Sequence, residues 1–157
     1  MIITVMGLPG SGKTTFVKKL AFQTDSLARF EPTNDIEYLK ATHTKEFNNI
    51  ILARLATIDC GLGDQPTVRD SDYFTSLYTF GGNYDLIQSG LAPIADKLIF
   101  LQISPEQQYQ NILNRGRLSA PEELQYCAHF WHEQIYAAFE KHPTKDKKVL
   151  YWDYYRS

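Results

Sequence analysis

A chain of 157 residues with 43% apolar and 22% charged side chains has the size and balance of one soluble globular domain, with apolar content enough for a core. Its formal net charge of −2 argues against a general nucleic-acid or acidic-membrane binder, and no apolar run approaches the ~20 residues that span a bilayer. Glycines from position 7 onward break the N-terminal apolar stretch too early for a secretory signal. Cys60 and Cys127 lie far apart, so free thiols in a reducing cytoplasm are expected.

Strand and helix alternate along the chain, with no internal repeat or linker. Residues 2–6 are apolar and partly β-branched, the pattern of a strand, and 13–23 read as a helix. Between them lies Gly7-Leu8-Pro9-Gly10-Ser11-Gly12-Lys13-Thr14, a complete G-x-x-x-x-G-K-[ST] loop between a strand and a helix, as a phosphate cradle requires. Its glycines let backbone N–H groups curl around phosphate oxygens, and the helix N-terminus adds its positive end. Gly7, Pro9, Gly10, Ser11, Gly12, Lys13, Thr14 and Thr15 are therefore the candidate nucleotide contacts, with Lys13 reaching the β/γ-phosphates and Thr14 ligating Mg²⁺.

Residues 27–31 form a short second strand stopped by Pro32, 35–41 a short helix, and 44–55 a longer helix ended by Gly61 and Gly63. A brief strand over 66–70 precedes helices at 72–80 and 84–89. Residues 97–103 are a continuous apolar run, the mark of a buried parallel strand. Ser104 and Pro105 start a helix to about residue 115 as N-cap and first helical position. A long helix over 121–141 and a closing strand over 148–153 complete the chain. This alternation implies a mostly parallel five-stranded sheet covered on both faces, a three-layer αβα sandwich with its ligands at the carboxyl ends of the strands.

Three further features fall at such ends. Glu31 faces the loop across the crevice, where it either takes a proton from an attacking hydroxyl, holds Mg²⁺ through water, or is simply solvated. Asp70 holds Mg²⁺ or the acceptor, and either Asp70 or Ser71 also suits a helix N-cap. Arg115 and Arg117 flank a glycine between two helices, forming a lid over about residues 114–121 that clamps a moving phosphoryl group and excludes water. Cys127, His129 and His132 are spaced more like a solvated helix face than a structural zinc site.

From Ile2 to about Asp153 the chain resembles the deoxynucleoside kinase and thymidylate kinase families of P-loop kinases. The likeness rests on the loop, on Phe30-Glu31-Pro32, on Leu52-Ala53-Arg54-Leu55, on Asp70 with the helix after it, and on Ser104-Pro105-Glu106 leading to Arg115-Gly116-Arg117 and Glu122 or Glu123. It implies a single kinase domain over residues 1–157, with MgATP-dependent transfer to the 5′ position of a deoxynucleoside or its monophosphate. Lys13, Glu31, Asp70, Arg115 and Arg117 are the implied catalytic groups, Glu31 serving as general base, with Thr14 and Asp70 at the metal. Phe47, Asn48, Arg54, Arg69, Asp70 and Tyr73 are the candidate acceptor contacts; Asn48, Asn49 and Arg54 would read the base, and Phe47, Tyr73 and Phe74 would stack on it.

The chain departs from those families at two places. Ser71 stands where an arginine is expected after the acid, and Phe30 stands where thymidylate kinases place an arginine. Arg69 precedes the acid, and strand alternation aims it at the opposite face. Both departures favour a nucleoside hydroxyl as acceptor. The chain is also shorter than most members, as viral versions acting in the host cytoplasm are. A homodimer is compatible with the aromatic-rich helix from residue 121. The rivals are a polynucleotide 5′-kinase, which needs a basic channel, and a non-catalytic nucleotide-binding switch, which needs an Asn-Lys-x-Asp motif that the chain lacks.

Overall fold

The computed structural model describes residues 1–31, 45–80, 93–116 and 132–156, without the side chains of 45–48 and 80. Strands β1 (Ile2–Gly7), β2 (Leu27–Arg29), β3 (Thr67–Asp70), β4 (Lys97–Gln102) and β5 (Lys147–Tyr151) form one sheet in the order β2-β3-β1-β4-β5. All four pairings are parallel. The helices are α1 (Lys13–Gln23), α2 (Lys45–Leu62), α3 (Tyr73–Phe80), α4 (Pro105–Arg115), α5 (His132–Lys141) and the short α6 (Trp152–Tyr155).

The period of two along each strand sorts its side chains between two cores. Leu98 and Phe100 of β4, with Met6 of β1, pack under Ile51 and Leu55 of α2 and Ile135, Ala138 and Phe139 of α5. Ile99 and Leu101, with Ile3, Val5 and Val68, pack on the other face under Val17 and Ala21 of α1 and Tyr155 of α6. This double burial is why β4 reads as an unbroken apolar run. Along α2, Ile51, Leu52, Leu55, Ala56 and Asp59 are buried, a single stripe at helical spacing.

Local signals mark several ends. Ser104 Oγ accepts from the Gln107 N–H at 3.2 Å, Pro105 follows it, and Gly116 closes α4 at φ 63°. Three details differ from the sequence reading. Gly63, at φ 54°, follows the end of α2, whereas Gly61 lies inside its last turn. Trp152 and Asp153 turn into α6 instead of extending β5. The cap of α3 is Asp72, whose Oδ1 accepts from the Thr75 N–H at 2.8 Å, and not Asp70 or Ser71. The helices expected at 35–41 and 84–89, the lid beyond Gly116 and the first half of the 121–141 helix lie outside the described residues.

Candidate active site

The phosphate-loop segment leaves the end of β1, the central strand, between β3 and β4. Here the chain order of the sheet reverses and a crevice opens at the carboxyl ends. Gly10 and Gly12 hold φ of 84° and 78°, a left-handed backbone that side chains with a Cβ resist. A Cβ on Gly7 would meet Ser11 Oγ at 2.6 Å.

Three distant side chains tie down the loop carbonyls. Gln108 Nε2 donates to the Pro9 carbonyl at 2.9 Å, Asn111 Nδ2 to the Gly10 carbonyl at 2.7 Å, and the Tyr155 hydroxyl to the Ser11 carbonyl at 2.9 Å. In a trans peptide the N–H points away from the preceding C=O. Drawing the Pro9 and Ser11 carbonyls toward α4 and α6 therefore turns the N–H groups of Gly10 and Gly12 the other way. Burial pushes the Tyr155 phenol up, which keeps it a donor throughout the physiological range. His132 Nε2 lies 3.2 Å from Gln108 Oε1. The Gln108 amide already donates through nitrogen, so the histidine donates in turn. Burial lowers the His132 pKa, in keeping with a neutral ring.

The sequence alone gives little sign of the part played by Gln108, Asn111 and Tyr155. The one trace there is a polar pair at i and i+3 on one face of the helix that Ser104 starts.

Lys13 opens α1 and Asp70 closes β3. The register sets Asp70 beside Val5, next to the loop, and Lys13 Nζ lies 2.9 Å from Asp70 Oδ1 with Asp70 only 5% exposed. A cavity of about 460 Å³ extends from this pair. Among the described residues, Gly7, Pro9, Gly10, Gly12, Lys13, Thr14 and Thr15 line its loop side. Glu31, Asp70, Ser71 and Arg115 border it, and Met6, Leu8, Thr75, Thr79 and Ile135 form further wall. Ser11 is fully buried and is not among the lining residues.

Other candidates sit elsewhere. Arg54 is exposed on α2 away from the cavity lining, and Asn49 is exposed as well. Tyr73 and Phe74 pack with Leu52, Ala56 and Leu77 in an apolar cluster, because the first turn of α3 lies against the buried stripe of α2. Arg69 is 1% exposed, with Nε 3.8 Å from Asp59 of α2. Val68 faces α1, so alternation turns Arg69 to the other side of the sheet. The side chains of Phe47 and Asn48, and all of Arg117, Glu122, Glu123, Cys127 and His129, lie outside the described residues.

Below the cavity, Asp72 gathers Thr4 Oγ1 at 3.0 Å, Thr75 N and Oγ1 at 2.8 Å each, and His142 Nε2 at 2.8 Å. The Thr144 N–H donates to His142 Nδ1, leaving Nε2 to carry the hydrogen toward Asp72. Burial alone would push the Asp72 carboxyl up; His142 and the two Thr75 donors outweigh it and hold the pKa at about 2.

Among the described residues no three His, Cys, Asp or Glu side chains form a metal cage, and no helix is long and apolar enough to cross a membrane. A hard cation would need oxygen from a bound phosphate besides the Thr14 hydroxyl and the Asp70 carboxylate, the mode usual for Mg²⁺.

No protein-family model and no curated protein matches the sequence. Solved structures do. The fold is similar to that of deoxyadenosine kinase from M. mycoides with bound dATP, at a TM-score of 0.68 and 18% identity over 98% of this chain and 92% of that one. The same enzyme with dCMP and dCDP matches at 0.68 and 14%, over 98% and 91%. A gluconokinase from Sinorhizobium meliloti 1021 matches at 0.58 and 15%, over 95% and 81%. The chain thus has the α/β fold of P-loop kinases, with an all-parallel five-stranded sheet.

Proposed function

We propose that this chain is an ATP-dependent kinase that transfers the γ-phosphoryl group to the 5′-hydroxyl of a deoxynucleoside. One observation carries the reading: Lys13, Glu31, Asp70 and Arg115 border a single cavity at the mouth of the glycine loop. Phosphoryl transfer asks a protein mainly for positioning and charge neutralisation, and these side chains are of the kinds it needs.

In this reading the loop N–H groups and Lys13 hold the triphosphate. Glu31 accepts the proton of the acceptor hydroxyl as its oxygen bonds to the γ-phosphorus, the β–γ bridging bond breaks, and ADP leaves with the bridging oxygen. Arg115 neutralises charge on the moving group, with Arg117 as its proposed partner. Magnesium, held by phosphate oxygens with Thr14 and Asp70, would supply further charge neutralisation. Trp152, beside Gly12 at the donor end, adds an apolar wall.

A neutral acceptor is favoured over a monophosphate. Among the described residues the cationic side chains lining the cavity are Lys13 and Arg115, both assigned to the donor. Arg29 and Arg69 are buried against Asp59. The test is ADP release from MgATP with a panel of deoxynucleosides, their 5′-monophosphates, gluconate and a 5′-hydroxyl oligonucleotide. Turnover with a deoxynucleoside is the expected result. Turnover confined to gluconate or to the oligonucleotide would replace the acceptor assignment, and no turnover with any of them would remove it.

A further inference from the structure

Arg29 ends β2, two residues before Glu31, and does not border the cavity. It is 5% exposed and fully engaged. Its Nε and Nη2 donate to the two carboxylate oxygens of Asp59 at 2.8 and 2.9 Å. Its Nη1 donates to the Asp70 carbonyl at 2.8 Å, and Nη2 donates also to the Ser71 carbonyl at 2.7 Å. One planar guanidinium therefore holds two successive carbonyls of the turn that leaves β3.

That turn is unusual. Ser71 has φ 65°, a left-handed conformation that its Cβ disfavours and that persists only where the surroundings enforce it. On one side the Ser71 N–H donates to the Val5 carbonyl at 3.0 Å. On the other stand the two Arg29 donors. Asp59 fixes the orientation of Arg29 with a two-point carboxylate grip, which a point-like ammonium does not reproduce.

We infer that Arg29 is a positioning residue: its guanidinium locks the Asp70–Ser71 turn in the left-handed form, and the lock sets the Asp70 carboxylate against Lys13. Because Glu31 follows Arg29 by two residues, the same lock sets the spacing of the two acids. The kinetic part of this role rests on the phosphotransfer reading above; the conformational part does not.

Two measurements on the full chain test it. In the first, R29M and R29K are assayed for ADP release in the wild-type and S71G backgrounds. A glycine adopts the left-handed backbone without a Cβ clash, so the lock becomes dispensable. We expect each substitution to lower kcat by about 30-fold or more with Ser71 in place, and by less than about fivefold in the S71G background. Equal losses in both backgrounds would reduce Arg29 to a partner of Asp59 and overturn the inference. Should R29M not fold, R29K, which keeps the charge beside Asp59 but cannot bridge two carbonyls, decides. In the second, amide exchange at Ser71 is followed. R29K is expected to speed it at least about tenfold in the wild-type background, and unchanged protection would overturn the proposal. Exchange altered as expected in a chain without transferase activity would leave the lock standing and remove only the kinase reading.

Discussion

Lys13 and Asp70 meet at 2.9 Å although they come from opposite ends of separate elements, the first residue of α1 and the last of β3. The contact fixes the lysine in the cavity that the glycine loop also lines. Preorganised charge of this kind is worth more than charge that must be ordered on binding.

Replacing Lys13 by Ala should lower kcat/KM for MgATP by at least about 100-fold. The fold should survive, because the lysine is a surface-side partner and not part of either core. Steady-state kinetics beside a circular dichroism spectrum makes the comparison, and a folded K13A with near-normal transfer would remove the loop from the reaction.

Glu31→Gln separates the two roles open to that side chain. As a general base, Glu31 should cost turnover about 100-fold or more on replacement, with the dissociation constant for MgATP changed less than about threefold. Equal losses of turnover and nucleotide affinity would assign Glu31 to the metal. Tryptophan fluorescence offers the binding readout, since Trp152 borders the loop at Gly12.

Asn111→Ala and Tyr155→Phe each release one loop carbonyl, Gly10 and Ser11 respectively. Each should weaken MgATP binding by about 1 kcal/mol, roughly fivefold, the net worth of one hydrogen bond. Both side chains are bonded to carbonyls of the loop assigned to the donor, so KM for the acceptor should stay within about twofold. A rise in acceptor KM alone would show that these side chains do something other than shape the loop.

Asp72 makes stability depend on acid in a definite direction. Its carboxyl has a pKa of about 2 when folded, against about 3.9 in an unfolded chain. The unfolded state therefore binds the proton more readily. The stabilisation is fully present above about pH 5 and is lost as pH falls through 2, amounting to about 3 kcal/mol. Urea unfolding followed between pH 5 and 2 should show this slope in the wild type and a flatter one in D72N. The D72N protein should also be less stable at pH 7, because His142 and Thr75 lose their ionised acceptor. Parallel slopes in both proteins would place the acid response elsewhere.

What sequence reading captured was governed by local rules. The loop glycines, the Ser104-Pro105 start of α4 and its end near Arg115, and the apolar run of β4 each follow from backbone geometry or side-chain period within a few residues. The crevice position of Glu31 and Asp70 followed from the parallel alternation, since parallel strands must share their carboxyl ends. Arg69 was legible for the same reason, as alternation alone turns it from Asp70.

The remainder was set by contacts between distant residues. Gln108, Asn111 and Tyr155 reach their loop carbonyls across 99, 101 and 144 positions. An isolated helix pattern shows only that a polar residue is present, not which carbonyl it will meet. The choice of Asp72 as helix cap was likewise made in three dimensions. Asp70 is occupied by Lys13, while Asp72 alone reaches Thr4, Thr75 and His142 together. Sequence determined most of the described elements and the glycine loop between β1 and α1, because both are written in neighbouring residues. Tertiary structure decided which buried polar groups are satisfied by which partners, because burial leaves each donor and acceptor only the partners that the packed fold brings within reach.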